Sequence, residues 1–257
     1  MRWGIVMRRE TSGILLALVL MGATVPALAL DITVSAAASL SNAFKEIGAA
    51  YEKQHPGDKV LFNFAASDAL VQQIAKGAPV DVLASADQEA MDKADGLKLL
   101  AAGTRRNFAS NTLVLVQPVD SKLMLRGLRD LAGPAVQRVA LGNPASVPAG
   151  RYGRAALEQA GLWPSVVDKL IYATSVRQCL DYVARGEVDA GLVYGTDAAL
   201  MKDKVQVLAT LPTATPISYP IAVIGAAAQL SAGRRFADFV QAPAGQAILA
   251  RYGFGRP

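Results

Sequence analysis

The chain has 257 residues, 52% of them hydrophobic, with one cysteine, one histidine and a formal net charge of +5. A single cysteine excludes an intramolecular disulfide framework, and so few His and Cys cannot build a zinc site. The basic residues are dispersed, densest at Arg105-Arg106, Arg126/Arg129 and Arg234-Arg235, which argues against the contiguous basic stripe of a nucleic-acid binder.

In chain order, Arg2, Arg8 and Arg9 precede an apolar run at 14–23 and the small-x-small site Pro26-Ala27-Leu28-Ala29. This layout predicts a secretory signal peptide over 1–29, cut after Ala29, with an apolar run too short for the ~20 residues of a membrane span. Met7 serves as a start as well as Met1. Cys179 is far from the cleavage site and gives no lipid anchor there. The mature chain, 30–257, is expected in the periplasm of a diderm host.

Strands are expected at 32–34, 60–64, 80–84, 113–116, 139–141, 191–194, 205–208 and 221–224, with helices between most of them. Leu40, Ala43, Phe44, Ile47 and Tyr51 recur at helical spacing, as do Val176, Cys179, Leu180, Val183 and Ala184 before Gly186. This alternation predicts an α/β protein of mostly parallel sheets flanked by helices. Two apolar stretches, 111–118 and 219–224, are read as crossings between lobes. They divide the chain into lobe I (30–112 plus 221–257) and lobe II (113–220), joined by a doubly crossed hinge. Ligands in such folds sit at the C-terminal ends of strands.

Four strand-to-helix junctions stand out for their small residues: Val34 to Leu40, Phe62 to Ser67, Asn143 to Gly150 and Ala173 to Val176. Each places unpaired amides at a helix start, where partial positive charge suits an anion. Catalytic constellations are lacking. His55 sits in a His-Pro-Gly turn, Cys179 lies on an apolar helix face, and there is no Gly-Lys phosphate loop. Asp92/Asp95 and Glu187/Asp189 read as solvated helix ends.

At these same junctions the sequence resembles the periplasmic molybdate-binding proteins of ABC transporters. The likeness runs from about Asp31 to Phe254. It is carried by Ala36-Ala37-Ala38-Ser39-Leu40, Phe64-Ala65-Ala66-Ser67, Gly77-Ala78-Pro79-Val80-Asp81-Val82, Val147-Pro148-Ala149-Gly150, Ser175-Val176-Arg177, Val193-Tyr194-Gly195-Thr196-Asp197 and Arg251-Tyr252-Gly253-Phe254. The resemblance implies a two-lobed periplasmic binding protein fold of type II that closes on molybdate or tungstate, without catalysis and without a cofactor. It implies oxyanion contacts from Ser39 and Ser67 through hydroxyl and amide, Ala149 and Val176 through their amides, and Tyr194 through its phenol. The implied partners are the membrane permease subunits of an ABC importer, with a monomeric free receptor. A receptor for sulfate, phosphate or a small organic acid, and an enzyme on the same scaffold, are the rival readings. Arg177 is expected on the helix surface or as a lobe-closing residue. Asp68, where the family more often has a small neutral residue, is read in two ways: as a solvent-facing complement to the helix dipole, or as a proton acceptor for an ion such as hydrogen phosphate.

Overall fold

The computed structural model describes residues 1, 3, 4 and 30–257. The apolar run and cleavage site of the expected signal peptide lie outside the described residues. From residue 31 the chain runs through β1 (Asp31–Ala37), a single 3-10 turn (Ala38–Leu40), α1 (Ser41–Gln54), β2 (Lys59–Ala65), α2 (Ser67–Ala75), β3 (Val82–Ala84), α3 (Gln88–Gly96) and β4 (Arg106–Asn111). It continues with β5 (Leu113–Pro118), β6 (Val139–Gly142), α4 (Pro148–Gln159), α5 (Trp163–Val166), β7 (Leu170–Ala173), α6 (Val176–Ala184), β8 (Ala190–Tyr194), α7 (Gly195–Leu200) and β9 (Val205–Leu211). It closes with β10 (Ile217–Val223), α8 (Leu230–Gln241) and α9 (Pro243–Arg251).

The strands form two five-stranded sheets, ordered β2-β1-β3-β10-β4 and β7-β6-β8-β5-β9. Each is mixed rather than mostly parallel. β1 runs parallel to β2 and β3, and β6 parallel to β7 and β8, through helical crossovers. The strands next to the crossings, β10 and β5, pair antiparallel to both neighbours, because the chain enters or leaves each sheet there without an intervening helix.

The chain passes from the first sheet to the second at Asn111-Thr112-Leu113 and returns between β9 and β10. The return therefore falls at 212–216, earlier than the boundary after 220 read from the sequence. Ile217, Ser218 and Tyr219 pair with β4 in the first sheet. The register shifts between Tyr219 and Pro220, which lets an interior strand hold a proline that has no N–H to donate.

The helical repeats seen in the sequence do the packing. Ala43, Phe44, Ile47 and Tyr51 of α1 are buried, as are Val176, Cys179, Leu180 and Val183 of α6. A fully buried Phe or Ile contributes roughly 1.5–3 kcal/mol, so each helix is fixed by its apolar stripe. That fixes where its N-terminus points. The starts of α2, α4 and α6 all lie at the C-terminal ends of parallel strands, on the side where the two lobes face each other.

Candidate functional site

Ser39, Ser67, Ala149, Val176 and Tyr194 all line one small cavity between the lobes. Ser39 and Ser67 come from the first lobe, the other three from the second. The cavity leaves about 10 Å³ for the centre of a water-sized sphere, far below the ~300–1,000 Å³ of pockets for drug-sized ligands. Its twelve lining residues include no charged side chain.

Local chemistry explains each donor. Pro148 opens α4, with a fixed φ suited to a first turn and no N–H of its own. Ala149 follows it, 1% exposed. Ser175 caps α6, its hydroxyl accepting from the Gln178 amide at 3.2 Å, so Val176 is the first helical residue. Helix geometry leaves the first-turn amides of Ser67, Ala149 and Val176 without intrahelical acceptors. No other carbonyl among the described residues takes them. Gly150 lets α4 begin this close to β6: a Cβ there would overlap the Gly142 carbonyl.

The hydroxyls are constrained by their neighbours. The Ala86 amide donates to Ser67 Oγ at 3.1 Å. An N–H can only donate, so Ser67 Oγ accepts there and keeps its own proton for another partner. Ser39 Oγ lies 3.1 Å from the hydroxyl of buried Tyr219. Tyr194 donates across the cleft to the Ala86 carbonyl at 3.3 Å. Its single proton is thus engaged with protein, a constraint the sequence does not carry. Burial first, then neighbouring negative groups, pushes the Tyr194 phenol well above its ordinary pKa, so it remains an O–H donor. The cavity therefore offers amide and hydroxyl donors at three helix starts, with no fixed charge. A small anion with several acceptor oxygens suits it; a cation does not.

The description bacterial extracellular solute-binding protein belongs to a family model that matches residues 32–255. The chain belongs to that family. Among its relatives is the molybdate-binding protein ModA of Escherichia coli, 39% identical over 234 residues, covering 87% of this chain and 88% of the relative. The periplasmic molybdate-binding protein of Azotobacter vinelandii superposes with a TM-score of 0.77 at 24% identity, covering 88% of this chain and 99% of that one. The sulfate-binding protein SubI of Mycobacterium tuberculosis gives 0.76 at 20% identity, covering 88% and 86%. Both structural likenesses establish the fold.

In this solute-binding protein the cavity is bounded by ion pairs that sequence reasoning did not find. Asp68 does not face solvent; it is 8% exposed. Its Oδ2 meets Arg151 Nη2 at 2.7 Å and its Oδ1 meets Lys93 Nζ at 2.7 Å. Its oxygens are taken by two cations and it does not line the cavity, so it neither faces solvent nor touches the space an ion would fill. Arg151, on the first turns of α4, also reaches Asp87 Oδ2 at 2.6 Å and Glu89 Oε2 at 3.3 Å, so one guanidinium of the second lobe holds three carboxylates of the first. Burial raises the Asp87 pKa above the ordinary carboxylate value, against the attraction of Arg151.

On the other side, Arg177 is the lobe-closing residue of the two alternatives. It pairs with Asp197 in its own lobe, and crosses to Asn42 Oδ1 at 2.8 Å and the Ser39 carbonyl at 3.1 Å. The one sequence signal for these latches was their position. Arg151 and Arg177 follow the Val-Pro-Ala-Gly and Ser-Val starts directly, where a long side chain overhangs the cleft.

Proposed function

We propose that this chain is a periplasmic receptor that captures molybdate, and equally tungstate, and delivers it without chemical change to the membrane permease subunits of an ABC importer. The observation that carries this reading is the meeting of Ser39, Ser67, Ala149, Val176 and Tyr194 from two lobes around one uncharged cavity. The similarity to named molybdate-binding relatives supports the choice of ion.

The oxyanion enters between separated lobes and meets the Ser39 and Ser67 donors. The second lobe then closes, adding the Ala149 and Val176 amides. Tyr194 exchanges its Ala86 carbonyl for an oxyanion oxygen. Closure is favoured because the ion gains contacts in the closed form that the open form lacks. Neutral donors make the complex tight yet reversible. Molybdate and tungstate are nearly equal in size and are held alike. Sulfate is smaller and leaves donors too far to bond, at roughly 1–3 kcal/mol for each one left unsatisfied.

Isothermal titration of the mature chain with molybdate, tungstate, sulfate and phosphate tests the reading. Molybdate and tungstate should bind with similar affinity and sulfate far more weakly. Ser39→Ala and Ser67→Ala should each weaken molybdate by about tenfold or more, as for loss of a hydrogen bond to a charged group. Binding of sulfate or phosphate alone would overturn the choice of ion, and binding unaffected by both substitutions would overturn the site.

A further inference from the structure

The direction of the hydrogen bonds behind Ser39 can be assigned atom by atom. Asn111 stands at the first crossing between the lobes, and its Oδ1 accepts the Thr112 amide at 2.9 Å. Because an amide N–H can only donate, that contact identifies the oxygen of the Asn111 side chain. The opposite atom is therefore Nδ2, which has only protons to offer. It reaches Tyr219 Oη at 3.1 Å and Thr196 Oγ1 at 2.9 Å. Tyr219 Oη thus accepts from Asn111. Its own proton has one remaining partner among the described residues, Ser39 Oγ at 3.1 Å. Ser39 Oγ accepts in turn, and no acceptor among the described residues takes the proton of Ser39. That proton is left for the cavity.

We propose that Asn111 and Tyr219 form a relay that turns the Ser39 hydroxyl proton into the cavity, so that Tyr219 is a positioning residue for the oxyanion. This rests on the oxyanion reading of the site. Tyr219 is fully buried, wedged against the rings of Phe108, Tyr194 and Phe254, so its hydroxyl cannot swing away. Ser67 reaches the same polarity by another route, through the Ala86 amide. Both serines then have their own proton free for the cavity, and each oxygen already accepts one hydrogen bond. A bare dianion accepts from both, whereas an ion that carries a proton has to compete at each serine for an oxygen that already accepts one hydrogen bond.

A mutant cycle separates this role from ordinary packing. Tyr219→Phe keeps the ring contacts and frees the Ser39 hydroxyl to rotate. Titration should show molybdate weakened about five- to tenfold by Tyr219→Phe and about tenfold or more by Ser39→Ala. The double variant should match Ser39→Ala within about twofold, because Tyr219 acts only through Ser39. Tyr219→Phe should also narrow the preference for molybdate over hydrogen phosphate, since the Ser39 oxygen then has no competing donor. Asn111→Asp offers Tyr219 an acceptor in place of a donor and reverses the relay, so it should weaken molybdate more than Tyr219→Phe does, and do so less in the Ser39→Ala background. Thermal unfolding of each unliganded variant checks that it is folded, and the Asn111 variant carries the test if Tyr219→Phe is not. Losses that simply add would overturn the relay while leaving the oxyanion site intact. A wild-type chain that binds no tetrahedral oxyanion would overturn both.

Discussion

Replacing Arg151 by Met removes a charge from between the lobes while keeping most of the aliphatic stem. In the structure the Arg151 side chain is 14% exposed and holds the carboxylates of Asp87 and Asp68, whose side chains are 5% and 11% exposed. After the substitution Asp68 keeps Lys93. Asp87 keeps only neutral partners, the Ala90 amide at 3.1 Å and the Ser85 hydroxyl at 3.4 Å. One carboxylate is thereby left buried without a cation. Stripping one partner from a buried pair costs about 3–5 kcal/mol; the surviving bonds to Asp87 favour the lower end. Opening the cleft returns Asp87 to water, so the penalty falls on the closed form alone. About 3 kcal/mol corresponds to a roughly hundredfold weaker Kd for molybdate, expressed mainly as faster release. Calorimetry with a competitive chase measures both quantities. Adding Asp87→Asn should recover most of the loss, because no charge is then stranded. The Arg151→Met variant should also bind better as pH falls. A carboxylate whose pKa is higher in the closed form than in the open form takes up a proton on closure, so acid favours closure. A Kd within threefold of wild type, or no recovery with Asp87→Asn, would refute the latch.

Burial raises the Asp197 pKa to about 6 despite Arg177, and its Oδ2 has no partner among the described residues. The folded state therefore binds a proton more readily than the unfolded chain, and the resulting stability is present at low pH and lost as pH rises through about 6. Asp197→Asn should flatten the thermal-unfolding profile between about pH 4 and 6, where wild type gains up to about 3 kcal/mol on acidification. Gly150→Ala should cost about 1–3 kcal/mol of stability from overpacking against the Gly142 carbonyl, and should weaken molybdate because the Ala149 amide moves with the helix start; calorimetry and melting curves check both. Cys179 is fully buried, donates to the Leu192 carbonyl at 3.4 Å and has its thiol pushed up to about 12 by burial. A thiol reagent at neutral pH should label it only once denaturant unfolds the chain.

Features set by local chemistry were legible in the sequence. A proline before Ala149 and a capping serine before Val176 announce helix starts, and helix starts announce free amides. The apolar periods of α1 and α6 name the faces that the structure buries. β4 escaped notice because it reads Arg-Asn-Phe-Ala-Ser-Asn, with only Phe108 and Ala109 buried, as an edge strand with β10 on one side permits. β7 was visible only as the lead-in to a junction, since Ile171 and Tyr172 are exposed on another edge. The late placement of the return crossing has the same source. Ile217, Ser218 and Tyr219 lie among prolines and look like linker, yet their backbones pair with β4 and only the bulge at Pro220 interrupts them.

The features that escaped the sequence depend on partners far along the chain. Asp68 and Arg151 are 83 positions apart, and Ser39 and Tyr219 are 180 apart. A serine beside a cavity can donate or accept, and its residue type does not decide which. The decision passes to whatever stands behind it. Behind Ser67 that is a peptide N–H, which has no choice of direction. Behind Ser39 it is a phenol oriented by an asparagine, itself oriented by a peptide N–H at the crossing between the lobes. Both chains of constraint end in backbone, whose polarity the fold sets once the sheets have formed. Which way each serine hydroxyl points is thus a property of the topology behind the serines as much as of the serines themselves.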